Sequence, residues 1–169
     1  QGACSTCNGL GSMMVFDPDL IVPDPTLSLR DGAIAPWENR HSIYFYQVLD
    51  AITQHFHVNI YTPFNEFPEA LKDLLLYGSK GNAIAFFLER DGRRYTYSRP
   101  FEGVIPNLER RYKETRSHQA REEIERFMNV RPCPSCHGAR LKPESLAVRV
   151  GGESIHQVCR HSVAKLHDF

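Results

Sequence analysis

Cys4-Ser5-Thr6-Cys7-Asn8-Gly9-Leu10-Gly11 and Cys133-Pro134-Ser135-Cys136-His137-Gly138-Ala139-Arg140-Leu141 stand near the two ends of the chain, and how they are read decides the fold. A C-x-x-C turn puts two sulfurs on one side of a tight loop, within reach of one metal ion. Glycine just after the second cysteine lets the backbone fold back without a Cβ clash, so amide N–H groups can face the thiolates. Two such knuckles supply four soft ligands, Cys4, Cys7, Cys133 and Cys136, the closed tetrahedral set of a structural Zn2+ site. The gap between the knuckles is far longer than in a compact zinc ribbon. Residues 16–128 therefore read as a domain inserted into the loop of a zinc module whose halves are 1–15 and 129–150.

Other cysteine chemistries fit less well. Cys133 to His137 spells C-x-x-C-H, the haem attachment pattern, but the matching knuckle and the glycines after both oppose it. A redox C-x-x-C calls for a thioredoxin-like βαβ context, which is not visible. Disulfides require an oxidising compartment, and nothing else points to secretion. Cys159, far from either knuckle, is expected to be a small buried or half-buried side chain.

A length of 169 residues suits one sizeable domain, or a domain with a small module. With 41% hydrophobic and 24% charged residues the chain reads as globular. No apolar run approaches a membrane span, so no membrane association is expected. The formal net charge is zero, so a nucleic-acid surface would have to come from local clustering of charge. The start at Gln1, directly before a knuckle, is what an excised fragment would show, and the lack of a signal peptide then decides nothing.

Between the knuckles the patterns alternate, which predicts an α+β domain. Met13–Phe16 reads as a short apolar strand. The prolines at 18, 23 and 25 predict an extended, turn-punctuated path. Trp37, the single tryptophan, reads as a core or hinge anchor ahead of a base-stacking role. A helix is expected over His41–Phe56, with Ile43, Phe45, Val48, Leu49, Ile52 and Phe56 at helical spacing. A short strand follows at Val58–Tyr61. A second helix starts at Pro68, with Ala70, Leu71, Leu74 and Leu75 on its apolar side. Gly78-Ser79-Lys80-Gly81 lacks the spacing of a phosphate loop.

Asp91-Gly92 between Ala83–Glu89 and Arg94–Ser98 is a hairpin signal. On its second strand Arg93, Tyr95, Tyr97 and Arg99 share one face, which suits either base stacking with phosphate contact or ordinary cross-strand pairing. The most basic stretch, 107–118, carries Arg110, Arg111, Lys113 and Arg116 against two glutamates. It reads equally as a phosphate-contacting segment or as a charged helix with internal pairs such as Glu109–Lys113. An amphipathic helix is expected over Gln119–Met128, a hairpin from Leu146 to Ile155 around Gly151-Gly152, and a last helical turn capped by Ser162. No nucleophile–base set, acidic pair or H-E-x-x-H has an interpretable spacing, so there is no positive case for catalysis by this chain.

Taken in order, several stretches resemble the UvrA family of bacterial nucleotide-excision repair. They are Gly2-Ala3-Cys4 with Cys7-x-Gly9-Leu10-Gly11, Phe16-Asp17-Pro18-Asp19-Leu20, Gly32-Ala33-Ile34, Leu76-Tyr77-Gly78-Ser79, Pro100-Phe101-Glu102-Gly103-Val104, Glu109 to Thr115, and Arg131-Pro132-Cys133 with Cys136-x-Gly138-x-Arg140-Leu141. A DnaJ-type chaperone also uses C-x-x-C-x-G-x-G, but it repeats the motif closely, and here the second knuckle lacks the final glycine. The UvrA resemblance implies a middle slice of a longer ABC-type ATPase: a zinc module interrupted by an insertion domain that contacts duplex DNA, especially damaged duplex, with 151–169 beginning the following signature region. It implies that ATP is bound only by the longer protein, outside these residues. It also implies that the partners are the rest of a dimeric UvrA and, through a segment outside this chain, UvrB, and that the setting is cytoplasmic.

Overall fold

The structure, a computed structural model, describes residues 2–37, 43–90 and 93–167, and within these the side chains of all but residues 43, 44, 86–90, 93–95 and 97. The chain divides into two compact units. One joins the residues up to Val15 with those from Asn129 on, and the other is Phe16–Met128. Both mix helices with small sheets, in line with the α+β expectation.

The expected apolar strand forms as β1 (Ser12–Phe16). After it comes α1 (Pro18–Ile21), one helical turn where the prolines predict only an extended path. Pro18 sits at the first helical position, where its missing N–H has no intrahelical partner to lose. Asp17 caps the turn by accepting the Asp19 N–H at 3.1 Å. A bend follows in which the Ser28 hydroxyl donates to Asp31 Oδ2 at 2.5 Å and accepts the Asp31 N–H at 3.1 Å. Trp37 is buried and stands edge-on to Phe45 and Phe101, with ring centroids 5.1 and 6.3 Å away, so it is a core anchor.

The first long helix is α2 (Ile43–His55), which buries Leu49 and Ile52 completely. The strand expected at Val58–Tyr61 does not form. His57 takes a left-handed φ of +56°, and Asn59 Oδ1 accepts the Tyr61 N–H at 2.9 Å. That side-chain bond closes a turn and competes with a strand ladder. Pro68 introduces α3 (Glu69–Tyr77), which buries Leu71, Leu75 and Leu76; Ala70, expected on the apolar side, is exposed.

Gly78 caps α3 with φ +76° and runs backbone against backbone with Gly103, also at φ +76°. A Cβ on Gly78 would lie 2.3 Å from the Glu102 carbonyl oxygen, and one on Gly103 would lie 2.3 Å from the Gly78 nitrogen. Ser79 seals this crossing. Its N–H donates to the Phe101 carbonyl at 2.8 Å, and its hydroxyl accepts the Phe101 N–H at 3.0 Å and donates to the Asn82 carbonyl at 2.5 Å.

The hairpin is β2 (Ala83–Arg90) and β3 (Arg93–Pro100), antiparallel in a register running from Ala83↔Pro100 to Arg90↔Arg93. It is longer than the sequence signals suggest, and its Asp91-Gly92 turn lies outside the described residues. The basic stretch belongs to α4 (Val104–Glu114), which starts upstream of its charges and buries Val104, Ile105 and Leu108. Ser117 caps α5 (His118–Glu125) by accepting the Ala120 N–H at 3.3 Å. This helix ends at Glu125, short of the expected Met128.

Met128 instead opens β4 (Met128–Pro132), which pairs with β1. Beyond the second knuckle, α6 (Pro143–Ala147) replaces the start of the expected hairpin strand, which shrinks to β5 (Arg149–Val150) and β6 (Glu153–Ser154). A capping box of Ser154 and Gln157 starts α7 (Ile155–Val158). Ser162 accepts the Lys165 N–H at 3.3 Å at the start of α8 (Val163–His167), as expected. Cys159 corrects its expectation. It follows the four-residue α7, which offers no face broad enough to cover it, and it is exposed.

The crossing of Gly78 and Gly103 gives a stability prediction. Gly103→Ala adds a steric clash to left-handed strain of about 1–2 kcal/mol, and should lower the urea midpoint more than Ser79→Ala, which removes hydrogen bonds worth about 1 kcal/mol each.

Candidate metal centre and candidate nucleic-acid interface

The two knuckles share one backbone path, offset by 129 residues. Asn8, Gly9 and Gly11 have φ of +50°, +84° and +79°, and the corresponding His137, Gly138 and Arg140 have +49°, +90° and +68°. The Leu10 N–H donates to the Cys7 carbonyl at 3.0 Å, and the Ala139 N–H donates to the Cys136 carbonyl at 2.8 Å. Their reciprocal bonds make the pair nearly two-fold symmetric. The Cys4 N–H donates to the Arg140 carbonyl at 2.8 Å, and the Cys133 N–H to the Gly11 carbonyl at 2.9 Å. The Thr6 and Ser135 hydroxyls meet at 2.8 Å.

This frame brings all four sulfurs within 4.8 Å of one another, each on a buried cysteine. Across the knuckles Cys4 and Cys133 approach to 3.9 Å, and Cys7 and Cys136 to 3.7 Å. Four sulfurs held tetrahedrally at the zinc–thiolate length of about 2.3 Å stand about 3.8 Å apart, so the set fits one ion. Backbone N–H groups face the sulfurs, from Gly11 to Cys7 at 3.2 Å and from Arg140 to Cys136 at 3.3 Å. The Cys7 N–H is the main cause that lowers the Cys4 thiol from 9.0 to about 6, and the Cys136 N–H lowers Cys133 in the same way. Burial pushes the Cys136 thiol up. Among the described residues these four form the one group of this kind, so the ligands expected from sequence are the ones brought together.

The residues expected to touch DNA are more dispersed. Strand alternation puts 93, 95, 97 and 99 on one face of β3. Arg99 is exposed, whereas the side chains of Arg93, Tyr95 and Tyr97 lie outside those described. On α4, Arg111 and Lys113 are exposed, as is Arg116 just beyond it. Arg110 is occupied. Its Nε and Nη2 donate to the two Glu102 oxygens at 2.8 and 3.1 Å, and its Nη1 donates to Glu114 at 3.1 Å. These carboxylates, Glu102 foremost, hold the guanidinium still more firmly protonated. Among the described residues, the i, i+4 pair on α4 is thus Arg110–Glu114 rather than Glu109–Lys113.

Sequence reading missed Glu102, because it precedes the helix and no helical spacing links it to Arg110. It also missed the clasp between α4 and α5. There the Tyr112 hydroxyl donates to Glu125 at 2.7 Å, which raises its pKa, and Arg121 lies 5.1 Å over the Tyr112 ring. Charge is divided unevenly between the units. Residues 16–128 carry fourteen Lys/Arg against seventeen Asp/Glu, and the remainder carry six against three.

A mixed helix-and-hairpin unit set between the two halves of a unit that gathers four cysteines fit for one metal ion has the layout of an inserted domain. A family model described as the UvrA DNA-binding domain matches residues 17–126, and the chain belongs to that family. It is similar to the UvrABC system protein A of Brucella abortus biovar 1 (strain 9-941), 47% identical over 164 residues, covering 97% of this chain and 17% of that protein. The counterpart in Methanothermobacter thermautotrophicus is 45% identical over 171 residues, covering all of this chain and 18% of that one. The crystal structure of UvrA2 from Deinococcus radiodurans shares the fold, with a TM-score of 0.72 at 24% identity, over 98% of this chain and 22% of that chain. The chain thus spans about a sixth of the length of these curated relatives.

The metal centre gives a prediction by elemental analysis. The chain should hold one metal ion, Cys133→Ser or Cys136→Ser should lose it and lower the melting temperature, and Cys159→Ser should leave both unchanged.

Proposed function

We infer that this chain is the insertion domain, with its zinc-bearing stem, of a UvrA-type subunit of nucleotide-excision repair, and that it contacts duplex DNA and helps tell damaged from intact duplex. The observation that carries the reading is the match of 17–126 to the UvrA DNA-binding domain. The metal in this reading is Zn2+, held by Cys4, Cys7, Cys133 and Cys136. Four thiolates leave no open position for water or substrate, so the ion is structural and fixes where the inserted domain leaves its stem.

Contact is directed at phosphates and senses shape, because lesions change how easily a duplex bends and unstacks. Arg111, Lys113 and Arg116 are the cations best disposed for it. Arg110 reaches a phosphate only by giving up Glu102 or Glu114, so it orients α4. Arg93, Arg99, Tyr95 and Tyr97 on β3 supply a second surface, where rings stack and guanidinium groups meet the backbone. The excess of acidic residues in 16–128 makes this binding local and weak at high salt. ATP turnover, dimerisation and UvrB docking belong to the longer cytoplasmic protein. Among the described residues no helix is long and apolar enough to cross a membrane. The Arg110 ion pairs favour a second reading, an insertion that packs against protein with little DNA binding of its own.

Fluorescence anisotropy with the metal-loaded chain separates the two readings. Titrations against intact and lesion-bearing duplexes at two salt concentrations should show binding that falls with salt, by a log–log slope of about −0.9 per phosphate contact. Arg111→Glu with Lys113→Glu should remove about two such contacts. No binding at low salt would leave the protein-packing reading.

A further inference from the structure

Helix α3 carries two stripes. Leu71, Leu75 and Leu76 enter the core, whereas Ala70, Asp73, Leu74 and Tyr77, spaced i, i+3, i+4 and i+7, line a cavity of about 640 Å³. The rest of the lining includes the end of α2, where His55 stands edge-on to Phe56 with ring centroids 5.4 Å apart, and Asn82 and Ile84 at the start of β2. Each of these segments is tied by its own backbone. The Phe56 N–H donates to the Thr53 carbonyl at 3.0 Å, the Gly78 N–H to Leu74 at 2.8 Å and the Asn82 N–H to Ser79 at 2.9 Å. The walls are therefore set before any guest arrives.

Within Leu76–Ser79, Leu76 is buried in the core, and Gly78 and Ser79 form the crossing with Phe101–Gly103. Tyr77 takes no part in that packing. It is 42% exposed, and among the described residues neither its ring nor its hydroxyl has a partner. The Asp73 carboxylate, the Asn82 side-chain amide and the Lys80 ammonium are unpartnered in the same sense. Apolar walls with three aromatic rings and a few free polar groups suit a flat heterocycle. Asp73 can accept from an exocyclic amino group, Asn82 can donate and accept, and Lys80, which also lines the cavity, offers a cation to the attached phosphate. An apolar side chain of a protein partner would leave all three unused. The cavity also lies wholly within the residues that match the DNA-binding family model.

We propose that this cavity receives one base unstacked from a DNA strand. Tyr77 and Phe56 are its stacking surfaces, Asp73 and Asn82 meet its edge, and Lys80 meets its phosphate. The inference rests on the DNA-contacting reading above and deepens it. A base that has lost its pairing costs less to extrude, so a lesion that weakens pairing favours occupancy of the cavity.

Photocrosslinking from 5-iodouracil, which attaches to an aromatic side chain in contact with the base, tests this with the full metal-loaded chain. A short duplex carries the iodinated base either opposite an abasic site or correctly paired, and mass spectrometry locates the attachment. The unpaired base should label the peptide of Tyr77 or that of His55 and Phe56, and the paired base should label neither. By anisotropy, Tyr77→Leu should weaken the duplex with the unpaired base about fivefold or more and leave the paired duplex unchanged. Asn82→Ala, which keeps the main-chain bonds to Ser79, should lower the same preference should Tyr77→Leu prove to disturb folding. Arg111→Glu/Lys113→Glu should weaken both duplexes alike. A single strand carrying the iodinated base separates the two readings: labelling of the cavity without duplex binding overturns the duplex reading and upholds this one. Labelling elsewhere or nowhere, or equal weakening of both duplexes by Tyr77→Leu and Asn82→Ala, overturns the proposal and leaves the cavity to a protein side chain.

Discussion

The unit that holds both ends of the chain is arranged by the meeting of two peptide turns that are 129 residues apart in sequence and within sulfur–sulfur contact in space. Bringing such distant segments together costs chain entropy, and that cost grows only slowly with the length between them. A four-sulfur clasp is suited to meet it, because metal binding stabilises the closed state and not the unfolded chain. The reciprocal bonds between Cys4 and Arg140 and between Cys133 and Gly11 add direction to what would otherwise be four ligands around a point. The β1–β4 pair then carries that alignment away from the clasp.

The parts legible in the sequence are those where a local rule acts alone. The C-x-x-C spacing with glycine behind it identified the clasp, and helical spacing identified α2 and α3. Asp-Gly between β-rich runs identified the hairpin. What was missed depends on side chains answering one another. Asn59 turns a β-rich run into a bend through one hydrogen bond, and Pro18 with Asp17 makes a helical turn out of a segment its prolines seemed to forbid. Cys159 is exposed because α7 is too short to shelter it, a matter of length that cysteine's average burial does not capture. Glu102 meets Arg110 through the path of the chain into α4, which no periodicity contains.

The distribution of charge separates two roles that a whole-chain net of zero conceals. The inserted unit keeps cations at a few exposed places, among them 111, 113 and 116, within an acidic whole, and uses others as internal fasteners, as in the Arg110 fork and the Arg121–Tyr112 stack. The clasp unit has fewer charges, with the positive sign in excess. An acidic body with a few presented cations holds nucleic acid loosely and releases it readily.

The bond from the Asp17 N–H to the Phe127 carbonyl, at 2.9 Å, makes the inserted unit begin and end one strand-width apart. A domain with that property occupies no more of its host than the tip of a hairpin would. For a protein engineer, 16–128 is accordingly a cassette: any antiparallel strand pair with an open turn is a potential socket for it.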